Sequence, residues 1–128
     1  MFATVFIAVF EASEGRLSYI NCGNEPPLLI GLHGEITPLP PTGPVVGILP
    51  EAQFNVKTTT LQENDLLVAF TDGIPDAIDA DDNSFGTPRL QECLSRRTTD
   101  PQALLDGVIQ EMEQFTGDVQ QFDDITVL

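Results

Sequence analysis

Tryptophan is absent from this 128-residue chain, and it carries a single histidine, a single tyrosine, two cysteines and only five Lys and Arg residues in total. The lone imidazole, His33, excludes zinc-enzyme sites, which need two or three. Five basic residues against 20 acidic ones give a formal net charge of -15. No basic face remains to release counterions from a nucleic acid or to meet an anionic membrane, so neither is expected as a partner. Cations and basic protein patches are the natural complements. Cys22 and Cys93 form no metal-spaced cluster; one ends a strand pattern and the other lies in a helical one, so both read as reduced, buried small hydrophobes. No apolar run reaches the ~18 residues of a membrane span. The apolar start, Phe2 to Phe10, lacks a basic leader and a cleavage site, so it is no signal peptide, and a cytoplasmic location is expected.

What is present is a foldable chain. Hydrophobic residues make up 41% and include eight Phe, too apolar for a disordered acidic tail, and the length suits one domain. Phe2–Phe10 and Arg16–Cys22, joined by Ser13-Glu14-Gly15, read as a β-hairpin. Pro27–Leu32 and Glu35–Leu39 follow, joined by a two-residue turn at His33-Gly34, so the first forty residues read as a β-meander. The proline-rich stretch to Pro50 is expected to be an ordered crossing loop. Gln53–Leu61 and the continuous apolar run Leu66–Phe70 complete the strands, the latter buried on both faces. Residues 74–79 are expected to form a short helix. Two longer helices are expected, Pro88–Arg97 capped by Thr87 and Pro101–Phe115 capped by Asp100. In the second, Leu104, Leu105, Val108, Ile109 and Met112 form one stripe suited to covering a sheet.

Two acidic spots fall at strand ends. Asp72 follows the buried run, and Asp123 and Asp124 open the last β-prone segment; if those strands are antiparallel neighbours, the three carboxylates converge. Two such charges ~4 Å apart repel by about 4 kcal/mol at a protein surface. Convergence therefore calls for a cation or a shared proton. Hard oxygen donors without His or Cys suit Mg²⁺ or Mn²⁺. The alternative is that Asp72 caps the following turn while Asp123 and Asp124 are solvated.

The ordered series Met1-Phe2-Ala3-Thr4, Asn21-Cys22-Gly23, Pro26-Pro27-Leu28-Leu29, Pro41-Thr42-Gly43, Gly47-Ile48-Leu49, Asp65-Leu66-Leu67, Thr71-Asp72-Gly73, Phe85-Gly86 and Asp123-Asp124-Ile125-Thr126 resembles the bacterial branch of the protein phosphatase 2C superfamily. These are the sigma-factor-regulating serine phosphatases typified by the stage II sporulation protein E. The resemblance implies an α+β fold, part of an α-β-β-α sandwich with mostly antiparallel sheets. It implies a binuclear Mn²⁺ or Mg²⁺ centre and hydrolysis of a phosphoserine or phosphothreonine by metal-activated water. Asp72 and Asp123 match the family's metal ligands, and Asp124 matches an auxiliary position. The implied partner is a phosphorylated regulatory protein of the anti-sigma-factor antagonist type. The family's first aspartate motif has no counterpart here, and both chain ends fall within β-prone runs. Residues 1–128 are accordingly expected to be the C-terminal portion of one catalytic domain, with the isolated chain short of a full metal centre. A catalytically inactive binding or dimerisation module is the alternative, and self-association through exposed sheet edges is expected. Asn24 stands where relatives usually carry His.

Four further features read as structural. Asp79–Ser84 opens like a calcium loop but has Ser84 where the sharp turn wants Gly and Leu90 where a bidentate Glu belongs. Asp76 shares a face with Asp72 if residues 74–79 are helical, either orienting water or merely solvated. His33 sits in a hairpin turn, and Arg96-Arg97 reads as a contact with a helix C-terminus rather than a phosphate clamp.

Overall fold

The computed structural model describes residues 1–96, 100–121 and 126–127. Six strands and two helices follow one another: β1 (Val5–Glu11), β2 (Arg16–Cys22), β3 (Leu28–Ile30), β4 (Ile36–Pro38), β5 (Lys57–Thr60), β6 (Leu66–Val68), α1 (Gly86–Ser95) and α2 (Pro101–Thr116). The expected meander divides. One antiparallel sheet runs β1-β2-β5 and the other β4-β3-β6, because the chain leaves the first sheet at Gly23 and enters the second at Leu28.

Side-chain alternation sorts the layers. In β2, Leu17, Tyr19 and Asn21 are buried, and Leu17 and Tyr19 pack with Leu39, Phe6, Leu61 and Leu67 between the two sheets. On β6 and just beyond it, Val68 and Phe70 point the other way, joining Leu28 and Ile30 under Leu90, Cys93 and Leu94 of α1 and Leu104, Val108 and Met112 of α2. The expected two-sided burial of the Leu66–Phe70 run is therefore present. Burial of an aliphatic side chain contributes about 1.5–3 kcal/mol, so the layer beneath the helices carries most of the packing energy.

Asp100 caps α2, accepting from the Gln102 N–H at 3.0 Å, with Pro101 at the first helical position as expected. The start of α1 differs: it begins at Gly86 after Phe85, with no side-chain cap. The β3–β4 connection spans residues 31–35 and closes on a three-residue loop rather than a two-residue turn. The Gly31 N–H donates to Glu35 O and the Gly34 N–H to Gly31 O, leaving Leu32, His33 and Gly34 in the loop. Gly34 takes φ +84°, the left-handed position that closes a three-residue hairpin. Strand β5 is confined to its threonine-rich end. Residues 74–79 form no helix: a turn covers 72–76 and Ile78 lies in a β-bridge. The carbonyls of Pro75 and Ala77 accept from the N–H groups of Gly86 and Phe85, and Ile78 bridges to Ser84, so the returning chain occupies the acceptors a helix would need.

Candidate metal centre

The acidic corner is built from two turns, one leaving β2 of the first sheet and the other leaving β6 of the second. The first is held by Asn21, whose side chain is fully buried. Its Nδ2 donates to Leu39 O at 3.2 Å and its Oδ1 accepts from the Asn24 N–H at 2.9 Å, while its backbone N–H donates to Thr42 Oγ1 at 3.1 Å. One residue thus ties the end of β2 to the proline-rich loop and shapes Gly23-Asn24-Glu25. Gly23 has φ +74°, and a Cβ there would collide with the Val45 side chain. Asn24 donates from its amide to Glu25 O at 3.0 Å.

The second turn follows β6. The antiparallel register Leu28↔Val68, continued past both residues, sends the chain from Pro27 back to Glu25 alongside the run from Ala69 to Thr71, which leads into Asp72. Phe70 bridges to Val127 on its other side; the Thr71 N–H donates to Thr126 O at 3.0 Å, and the Thr126 N–H donates to Thr71 Oγ1 at 3.0 Å. The antiparallel neighbour expected beside Asp72 is therefore present at Thr126 and Val127. Asp123 and Asp124, the other expected ligands, lie outside the described residues. The Asp76 N–H donates to Asp72 O at 2.9 Å, so a single turn stacks the two exposed aspartates without a helix.

Glu25 was not singled out by the sequence. It is half-buried, and its carboxyl is pushed above the ordinary carboxylate range, first by burial and then by the charges of Asp72 and Asp76. The only hint in the sequence was its place in the Gly23-Asn24-Glu25 turn; strand register supplies the rest. Glu25, Asp72 and Asp76 thus share one negative corner, although no set of three His, Cys, Asp or Glu among the described residues is close enough to enclose an ion. The donors fit a hard divalent cation: all are carboxylates, and Asp72 and Asp76 are exposed.

The remaining candidates are structural. Asp79 is occupied by its own loop, accepting from the N–H groups of Asp81 and Asn83 and from Asn83 Nδ2. These bonds hold its carboxyl below the ordinary range, and calcium ligation is not needed to explain the loop. Arg96 pairs with Glu92 at 3.3 Å and Glu111 at 2.8 Å, joining α1 to α2; Arg97 lies outside the described residues. Arg16 pairs with Glu11 and Glu14, and Arg89 stacks 4.1 Å from the Phe115 ring. Cys22 and Cys93 are free and buried, and burial pushes the Cys93 thiol up, away from reactivity. His33 is exposed in its hairpin. No helix among the described residues is long and apolar enough to cross a membrane.

Paired antiparallel sheets with two helices on one face match part of solved PP2C-type phosphatase domains. The SiaA-PP2C domain of Pseudomonas aeruginosa aligns with a TM-score of 0.83 at 16% identity, covering 97% of this chain and 49% of that one. The Mn-presoaked phosphatase domain of the cell fate determinant SpoIIE from Bacillus subtilis gives 0.73 at 21% identity, covering 98% and 54%. The family description of stage II sporulation protein E (SpoIIE) matches residues 1–128, and the chain belongs to that family. It is 37% identical over 128 residues to Protein IcfG of Synechocystis sp. (strain ATCC 27184 / PCC 6803 / Kazusa), covering 100% of this chain. The chain spans 20% of Protein IcfG and about half of the two solved phosphatase domains.

Proposed function

We propose that this chain forms part of a metal-dependent protein serine/threonine phosphatase that acts on a phosphorylated regulatory protein of the anti-sigma-factor antagonist type. The observation that carries the reading is the position of Asp72. It stands at the C-terminal end of a buried strand, in a Thr-Asp-Gly turn whose threonine is hydrogen-bonded to Thr126. Asp72 is one metal ligand in this reading. Asp123 and Asp124 precede Thr126 by three and two positions in the sequence and supply the others. A bound Mn²⁺ or Mg²⁺ would supply Lewis acidity and neutralise phosphoryl charge. Asp76 and Glu25 add negative potential that draws a divalent cation in, while Thr71 and Asn21 hold the two acidic turns in register. The acidic corner repels a bare phosphate, so phosphoester binding requires the cation.

The test is hydrolysis of a phosphoserine peptide by the full-length protein carrying this chain, with and without Mn²⁺ or Mg²⁺. Turnover that depends on the cation and falls at least ~100-fold in Asp72→Asn supports the reading; turnover independent of metal would overturn it. For the 128-residue chain alone, Asp72→Ala and Asp123→Ala should each weaken Mn²⁺ binding in calorimetry.

A second reading, a phosphatase-like binding or dimerisation module, draws on Asn24. Its amide is bonded within its own loop and has no titrating proton to offer where relatives usually carry His. Wild-type turnover unchanged by Asn24→His, in a protein already active, would dispose of it.

A further inference from the structure

The turn that carries Asp72 and Asp76 is held on both sides by the chain that follows α2. On the near side the Thr71 N–H donates to Thr126 O at 3.0 Å, and Thr71 Oγ1 accepts from the Thr126 N–H at 3.0 Å. On the far side, two residues past Asp76, the partner is a side chain. Ile78 faces Ser84 in an antiparallel bridge whose bonds are made by its neighbours: the Asp79 N–H donates to Asn83 O at 3.0 Å and the Phe85 N–H to Ala77 O at 2.6 Å. In such a pair the N–H and C=O of Ile78 itself point away from Ser84.

Gln121 takes both. Its Oε1 accepts from the Ile78 N–H at 2.9 Å, and its Nε2 donates to Ile78 O at 3.4 Å and, at the shorter distance of 2.9 Å, to Val119 O. A primary amide offers an acceptor and two donors. The acceptor and one donor therefore serve Ile78 as the peptide group of a third strand would, while the second donor fixes the side chain against its own backbone. The chain reaches this position because α2 stops at Gly117, with φ +58°, and the Val119 N–H turns back to Thr116 O.

We infer that Gln121 is a positioning residue for cation binding: its amide, clipped to both backbone groups of Ile78, holds the far side of the acidic turn while Thr126 holds the near side. The Asp76 N–H is bonded to Asp72 O, so the two like-charged side chains are stacked within one turn. Their repulsion favours opening of that turn. Tethers on both sides oppose the opening and keep Asp72 placed before a cation arrives. Gln121 itself touches neither carboxylate; it acts through the backbone at Ile78. The inference rests on the reading of Asp72 as a metal ligand, and its test separates the two.

The test measures Mn²⁺ binding by calorimetry to the metal-free, full-length protein carrying this chain, together with hydrogen exchange at the Ile78 amide. Gln121→Met keeps the length of the side chain and replaces the amide by a thioether. It should raise the Mn²⁺ Kd by about 10-fold, as loss of a group that orients a metal ligand does, and speed exchange at Ile78. Gln121→Asn, one methylene shorter, should do the same. Leu17→Ala is the control for stability alone, because Leu17 is buried between the sheets at the end of β2 remote from the Gly23 turn; it should lower the melting temperature and leave the Mn²⁺ Kd within twofold of the parent. Parental Mn²⁺ affinity in Gln121→Met, with binding weakened in Asp72→Asn, would overturn the inference and leave Asp72 a ligand. Equal weakening in Leu17→Ala and Gln121→Met, or parental exchange at Ile78 in Gln121→Met, would also overturn it. Parental affinity in Asp72→Asn would overturn the ligand reading and this inference with it.

Discussion

Replacing Asn21 by alanine removes the joint between the first sheet and the acidic corner. The side chain makes two hydrogen bonds, to Leu39 O and from the Asn24 N–H, in a site with no solvent exposure. Its loss strands two protein groups, at about 1–3 kcal/mol each for a buried partner left unsatisfied. Asn24 is half-buried and recovers part of its cost from water, so the sum falls near 3 kcal/mol. With an unfolding entropy of about 2.1 cal/mol/K per residue, 128 residues give ~0.27 kcal/mol/K, so the midpoint drops by roughly 11 °C. Thermal unfolding followed by circular dichroism reads this directly. Thr42→Val is the internal comparison, because it removes only the acceptor of the Asn21 backbone N–H at 3.1 Å and should cost less than half as much. An Asn21→Ala midpoint within 3 °C of the parent, or a larger loss in Thr42→Val, would refute the assignment of Asn21 as the joint.

Two further outcomes follow from the packing and the electrostatics. Leu90 has no solvent exposure and sits in the layer beneath the helices, so Leu90→Ala should cost about 2–5 kcal/mol, seen as a lower urea midpoint at unchanged slope. Glu25 holds its proton to a higher pH in the folded chain than in the unfolded one, so its contribution to stability is present below the ordinary carboxylate range and is lost as pH rises through its raised value. Glu25→Gln should remove that part of the decline without added metal; an unchanged stability profile between pH 4 and 7 would show that burial and the Asp72 and Asp76 charges do not act on Glu25.

Local chemistry made much of the fold readable in advance. The hairpin of β1 and β2 follows from alternation around Ser13-Glu14-Gly15, and α2 from Asp100-Pro101 with its apolar stripe. The departures arise where distant segments compete for backbone groups. Residues 74–79 have a helix-like spacing, but the N–H groups of Phe85 and Gly86 take the carbonyls of Ala77 and Pro75. The meander fails because Gly23 and Asn21 turn the chain out of one sheet and into another, a choice fixed by Leu39 and Thr42 from a later loop. Asp72 was legible from its motif at a strand end. Glu25 was not, since its approach to Asp72 and Asp76 follows from the β3–β6 register and leaves no short-range pattern.

The uneven division of the core has a consequence for how the molecule opens. Among the described residues, thirteen buried side chains make up the cluster beneath the helices, while three lie between the sheets. Opening free energies should divide the same way, because local unfolding follows buried apolar contact. The amides of β3, β6 and α2 set the global limit. The β1–β2 hairpin, held by the thinner layer and the Arg16 pairs with Glu11 and Glu14, forms a separate cooperative unit that detaches first. Proteolytic nicking would therefore begin in the hairpin and leave the helix-covered sheet as the last resistant core.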